Sequence, residues 1–334
     1  AKIKLKEGIN PYYAKAFLNS IYGRLHMDRF AKGISQPDLH LIDIKKIKIP
    51  IPPFYIQNKI AEMMENAYKE NDEKIKKANG LLTKIDEIIV ENLRISLPRF
   101  IKQNVYWVNP EILENRRDPL FYNSNYLNLL NTINNSPYET KILREIWKTI
   151  TSGQRPKGGV KYIKDGIPSV GGEHITPEGN FNFKNIRYIP EKFHKKQKKS
   201  WIKPLNILIV KDGATTGKVA IVPKDFPFKE CNINEHVFKI EIDDNYNPYY
   251  VFSYLFSSLG QKQINRLISG AAQKGITRDA IESIRVISPS REIQKNIADE
   301  VKRRKEESER LKKEAGEVAK KAKKEVEKMI VGET

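Results

Sequence analysis

At 334 residues the chain has room for about two domains and a sizeable core. Sixty Lys and Arg against 41 Asp and Glu leave a net charge of +19, which points to a polyanionic partner; apolar bursts as short as Ile207-Leu208-Ile209-Val210 argue against a membrane and leave nucleic acid. Cys231 is alone, which excludes an intrachain disulfide, and five histidines without paired spacing give no reason to expect a metal. No secretory or transit signal opens the chain, so the cytoplasm is the expected location.

Residues 1–53 read as the end of a domain, and the chain says part of this twice. Residues 10–61 recur at 247–298 without a gap, with 17 identities in 52 pairs, where chance would give about three. Asn10-Pro11-Tyr12-Tyr13 returns as Asn247-Pro248-Tyr249-Tyr250, and Ile56-Gln57 with Ile60-Ala61 returns as Ile293-Gln294 with Ile297-Ala298. A unit this long is no solenoid repeat and implies two homologous halves.

A long helix is predicted over 54–95, introduced by Pro50-Ile51-Pro52-Pro53 and closed by Pro98. Ala61, Met64, Tyr68, Asn71, Ile75, Ala78, Leu82, Ile85, Ile89 and Asn92 are spaced alternately by three and four, the seam of a coiled coil. A matching helix is predicted from Arg291 to Ile330, and the repeat carries the seam onto Ala298, Val301, Lys305, Ser308, Lys312, Ala315, Ala319, Ala322, Val326 and Met329. Large side chains on one helix face small ones on the other, as an antiparallel pair within the chain requires. Two independent amphipathic helices, each on its own domain, are the alternative.

Residues 99–290 between the helices predict an α+β domain with an irregular mixed sheet. Residues 138–150 look helical or strand-leading; 167–170, 186–189, 205–210, 218–222 and 237–242 have strand character; 247–269 returns to helical spacing. Residues 151–230 hold sixteen Lys or Arg and seven Asp or Glu, a net of +9. The run Lys195-Lys196-Gln197-Lys198-Lys199 suits phosphate, whereas Gln154 and Arg155, followed by Lys157, suit base edges.

Three motifs imitate catalytic ones. Lys211-Asp212-Gly213-Ala214-Thr215-Thr216-Gly217-Lys218 resembles a nucleotide loop but has three residues between its glycines and Val219 after the lysine, so it reads as a tight turn whose Thr hydroxyls and Lys218 point outward. The Asn-Pro-Tyr-Tyr segments lack the second proline of the Asn-Pro-Pro-Tyr loop of adenine methyltransferases; an Asn cap followed by Pro at the first helical position explains them. Asp38, Asp43 and Lys45 imitate a metal-nuclease triad, but the second copy has Gly275 and Ala280 in place of the carboxylates. No catalytic residue is assigned.

The Pro-rich entrance with Gln57 and Ile60-Ala61, its copy after Pro289, the 212–218 segment and Ser269-Gly270-Ala271-Ala272-Gln273-Lys274-Gly275-Ile276 resemble the DNA-specificity subunit of type I restriction-modification systems. The resemblance spans nearly the whole chain. It implies target-recognition domains, each reading half of a split site on double-stranded DNA, held apart by an antiparallel helix pair that docks methyltransferase (modification) subunits. Those subunits would carry S-adenosylmethionine and the catalytic loop, so this chain would bind no cofactor; a restriction/translocase subunit can join.

The domains expected on this basis are 1–53, the C-terminal remnant of a first target-recognition domain; 54–98, the first helical arm; 99–290, a complete target-recognition domain; and 291–334, the second arm. The residues expected near DNA are Gln154, Arg155, Lys157, Lys198, Lys199, Lys211, Thr215, Thr216, Lys218, Gln273, Lys274 and Arg278. The seam of the helix pair is represented by Met64, Ile75, Leu82, Ile85, Ile89, Val301, Ala315, Ala319, Ala322 and Val326. Two other functions fit the same features: the recognition portion of a single-chain restriction-methylation enzyme, and a basic coiled-coil scaffold without sequence preference.

Overall fold

The computed structural model describes residues 3–33, 38–102, 105–113, 116, 118–156, 161–270 and 274–332. Helices α1 (Pro11–Asn19), α2 (Ile21–Phe30) and α3 (Leu41–Ile44) precede α4 (Phe54–Thr83) and α5 (Ile85–Leu93). Then come α6 (Ser124–Asn134), β1 (Glu139–Ile142), β2 (Trp147–Ser152), β3 (Ile167–Val170), β4 (Arg187–Ile189), α7 (Glu191–Lys196), β5 (Ile207–Val210), β6 (Val219–Ile221), β7 (Asn232–Ile233) and β8 (Val237–Ile242). Helices α8 (Pro248–Phe256), α9 (Ser258–Leu267) and α10 (Arg278–Glu282), strand β9 (Arg285–Ser288) and the 41-residue α11 (Arg291–Val331) complete the order. The chain forms two compact units, Ala1–Leu82 with Lys305–Thr334, and Thr83–Arg304.

In the first unit, α4 and the later part of α11 run antiparallel. Asn71 Nδ2 donates to the Ala315 carbonyl at 2.8 Å, and Ser308 Oγ to the Ala78 carbonyl at 2.9 Å. In both pairs the residue numbers add to the same total, as an antiparallel register demands. The same register places Ile60 with Val326 and Met64 with Ala322, and these four share one apolar cluster with Tyr13 and Ala16. Ala78 and Ala315 are fully buried, so the backbones approach closely enough for side chains to reach the opposite carbonyls. Lys74 and Glu314 close the flank at 3.0 Å.

The seam residues follow this pattern. Met64, Ala315 and Val326 are buried, and Ile75, Leu82, Ala319 and Ala322 are half-buried. One position differs: the seam was expected at Lys312, but Leu311 is the buried neighbour, because the apolar side chain gains more from desolvation than the lysine stem.

Among the described residues, the second unit carries three small sheets. Strands β2-β8-β5-β6 form a four-stranded antiparallel sheet, β4-β3-β7 a three-stranded one with β3 parallel to β7, and β1 pairs with β9. Val170, Leu208, Val210, Ala220, Ile233 and Val237 fill one core, roofed by Phe181, Phe183, Phe226 and Phe228. In the same unit Ile85, Ile89 and Val301 are buried.

One expectation needs correction. The helix over 54–95 is interrupted at Lys84, and α5 ends at Leu93 with Arg94 left-handed at φ 51°. Burial at Ile85, Ile88, Ile89 and Leu93 explains the change, since this stripe is wider than a coiled-coil seam and suits a helix packed on a globular domain. Residues 138–150, read as helical or strand-leading, form β1, a short 3-10 turn and β2, and the helical spacing over 247–269 is realised as α8 and α9, divided at Ser257. Strands β7 and β9 were not anticipated.

The repeat is reproduced bond for bond. Asn10 caps α1 and Asn247 caps α8, each side chain accepting from the two tyrosine amides that follow. Gln57 Oε1 accepts from the Asn10 amide at 2.9 Å and Gln294 Oε1 from the Asn247 amide at 3.0 Å. Gln57 Nε2 donates to Pro52 O at 2.9 Å and Gln294 Nε2 to Pro289 O at 3.0 Å. Tyr13 OH reaches Pro50 O, as Tyr250 OH reaches Ile287 O. Each glutamine therefore joins an Asn-Pro helix start to the entrance of a long helix.

Candidate nucleic-acid interface

The basic run of the second unit is held by its apolar side. Trp201 stacks on His194 at 4.5 Å and 7°, and its Nε1 donates to the His194 carbonyl at 2.9 Å. His194 Nδ1 meets Asn232 Oδ1, and Asn232 Nδ2 bonds Ser200 Oγ. With that face pinned, Lys195, Lys196, Lys198 and Lys199 are left exposed. Thr151 of the edge strand β2 donates to the Lys199 carbonyl at 2.9 Å, and Lys239 of β8 donates to Trp201 O at 2.6 Å. Burial pushes the Lys239 ammonium below its ordinary pKa.

This arrangement leaves an open cleft of about 720 Å³ between β2 and the basic run. Gln154, Lys195, Lys196, Lys198, Lys199 and Arg278 line it over an apolar floor of Ile150 and Phe238, with no carboxylate in the lining among the described residues. Arg278 is itself held by Glu282 at 2.7 Å. A concave basic surface with amide and guanidinium donors at its edge concentrates positive potential where a polyanion would lie.

A second group sits on the β5–β6 hairpin. The loop turns through Gly213 and Gly217, both left-handed at φ 93° and 91°. It is laced to the segment before α10: Gly213 N donates to Lys274 O at 3.1 Å and Ile276 N to Lys211 O at 2.7 Å. The tight turn is present, but its polar groups do not all point outward as expected. Thr215 Oγ1 donates to Gly172 O at 3.3 Å, Thr216 Oγ1 to Gly213 O at 2.7 Å, and Lys218 Nζ to Ile175 O at 3.2 Å. Backbone carbonyls around the turn accept from these donors, so the three side chains hold the loop together.

Lys211 pairs with Asp212 at 2.6 Å, and His236 also contacts that carboxylate. Burial would raise the Asp212 pKa, but bonds from Lys211 and His236 outweigh it and hold the acid below its ordinary range. Lys274 is exposed. Lys157 and Gln273 lie outside the described residues.

The structure thus gathers Gln154, Lys198, Lys199 and Arg278 in one cleft and Lys211, Thr215, Thr216, Lys218 and Lys274 in one loop pair. Sequence reading missed Ile150 and Phe238 as the floor, and Asp212, Glu235 and His236 as polar neighbours of Arg155 and Lys211. Their signal was weak: acids in a basic region look like ordinary surface charge. Among the described residues, no group of three or more His, Cys, Asp or Glu side chains is placed to hold a metal ion, and no helix is long and apolar enough to cross a membrane.

A chain in a solved structure concerned with complex assembly and conformational transition of the type I R-M system is similar over 98% of this chain and 72% of its own length, at 15% identity and a TM-score of 0.53. The HsdS subunit of Thermoanaerobacter tengcongensis is 14% identical at a TM-score of 0.42, covering 97% of this chain and 71% of that one. The type I S subunit of M. genitalium is 13% identical at 0.47, with 97% and 74% covered. No curated protein matches the chain. A family model for the type I restriction modification DNA specificity domain matches residues 2–83 and 135–317, the greater part of the chain. The chain belongs to this family and is a sequence-specific DNA-recognition subunit of a restriction-modification complex, not its catalytic part.

Proposed function

We propose that the second unit binds one half of a DNA site with the cleft between β2 and the basic run. The single observation that carries this reading is the convergence of Gln154, four lysines and Arg278 on one concave surface whose lining, among the described residues, holds no carboxylate. Lys198 and Lys199 neutralise phosphates; Gln154 and Arg155, on the neighbouring loop, reach base edges in the major groove. Lys211, Lys274 and Arg278 flank the same duplex, with Thr215, Thr216 and Lys218 shaping the loop that presents Lys211.

The paired helices α4 and α11 serve as the docking surface for methyltransferase subunits, which bring S-adenosylmethionine and the catalytic loop; a restriction/translocase subunit joins the assembly. The complex works in the cytoplasm. Titrating labelled duplexes at several salt concentrations tests the DNA surface. Lys198→Ala should weaken every sequence alike and lower the salt slope by about one. An unchanged slope would remove Lys198 from the interface.

A further inference from the structure

Beside the cleft, Arg155, Glu235, His236, Asp212 and Lys211 meet in one line of polar contacts drawn from three separate segments. Arg155 Nε lies 3.2 Å from Glu235 Oε1, and His236 Nε2 lies 3.4 Å from the same oxygen. His236 Nδ1 contacts Asp212 Oδ1, and Lys211 Nζ contacts Asp212 Oδ2 at 2.6 Å. Arg155 stands on the loop after β2, whereas Glu235 and His236 belong to a turn fixed by backbone bonds. The Asn234 amide donates to Val170 O at 2.9 Å, the His236 amide to Asn234 Oδ1 at 2.9 Å, and the Lys211 amide to His236 O at 2.9 Å. Glu235 is therefore a rigid anchor reaching a guanidinium on an irregular segment.

A guanidinium has five donors in one plane. The ion pair with Glu235 lies on the Nε side of that plane and draws the guanidinium toward the carboxylate, while the edge formed by the two Nη groups stays open. No described residue pairs with either Nη of Arg155, whose side chain is 58% exposed. That edge is the one that bonds guanine O6 and N7 together, and a lysine cannot reproduce it. The neighbouring carboxylate also repels phosphate, which disfavours the alternative of Arg155 as a backbone contact.

We propose that Glu235 is a positioning residue for sequence reading: it holds Arg155 with its Nη edge outward for a bidentate contact to a guanine, and is steadied in turn by His236 and Asp212. This rests on the reading above that Arg155 faces DNA. It makes an acid the partner of a base-reading arginine in a region of net positive charge.

Selection from random duplexes with the full chain, read position by position, tests it. Arg155→Ala and Arg155→Lys should each lose preference for guanine at one position by roughly 5- to 150-fold. Glu235→Gln should lose most of that preference at the same position, leave the others unchanged and leave the salt slope as in the parent. If Arg155→Ala changes no position, Arg155 is not a base contact and both readings fall. If Arg155→Ala removes the guanine preference and Glu235→Gln keeps it, DNA reading stands and the positioning role is overturned. Loss at a position preferring another base overturns it too. Should Glu235→Gln melt the unit, as circular dichroism would show, His236→Gln tests the same link. A loss confined to the Arg155 position supports the proposal, and none there or a uniform loss at every position refutes it.

Discussion

Replacing Gln294 by Ala removes the link between the α8 start and the α11 entrance, and the structure sets its size. The side chain is 2% exposed and makes two bonds, accepting from the Asn247 amide at 3.0 Å and donating to Pro289 O at 3.0 Å. Each abandoned group costs about 1–3 kcal/mol when buried, together about 2–6 kcal/mol. The Asn247 amide is partly reached by water, which places the expected loss at about 2–4 kcal/mol. Trp107, Trp147 and Trp201 all belong to the second unit, so tryptophan fluorescence during urea unfolding reports on it. Gln294→Glu, which keeps an acceptor but loses the donor and adds a charge, should not rescue stability. A loss below about 0.5 kcal/mol, the range of an ordinary surface change, would refute the reasoning that the repeated glutamine is a structural lock.

Three further outcomes are expected. Ala78→Leu inserts three carbons where Ser308 bonds the Ala78 carbonyl, so the first unit should lose about 1–3 kcal/mol in a melt followed at 222 nm. Gly153→Ala would set a Cβ 2.0 Å from the Ile233 carbonyl oxygen, so the loop bearing Gln154 and Arg155 must shift; duplex titration should show weaker specific binding with an unchanged salt slope. Asp212 has its folded pKa depressed, so its stabilisation is present above its ordinary value of 3.8 and is lost as pH falls through the lower folded value. Unfolding midpoints of the parent and Asp212→Asn should therefore differ at pH 7 and converge below pH 3.8.

Much of the fold was legible because local chemistry and tertiary role coincide. Strands β3 and β8 were expected at the residues they occupy, since β3 lies between Gly166 and Gly171 and β8 is rich in Val, Phe and Ile and closes on Asp243-Asp244. The helix pair was legible because its seam is written in two copies related by the repeat. Strand β7, Asn232 and Ile233, was not: two residues carry no period, and their partners, β3 in parallel and Trp201, lie far away in sequence. The break at Lys84 was hidden because its cause is the globular packing of Ile85, Ile88 and Leu93 rather than a proline or glycine. At the interface the lysine run was readable from charge alone, whereas the inward turn of Thr215, Thr216 and Lys218 depends on carbonyls at positions 172, 175 and 213. The Arg155, Glu235, His236 and Asp212 line joins three distant segments and leaves no local trace.

The most direct test of the central claim, that this chain reads a DNA sequence, is selection of the full chain against a random duplex library at physiological salt. One defined motif should be enriched, with specific binding at least 10³-fold tighter than binding to unrelated duplexes, roughly the lower bound for specific recognition. Enrichment of no motif, with all duplexes bound alike and released alike by salt, would contradict it and leave a basic scaffold.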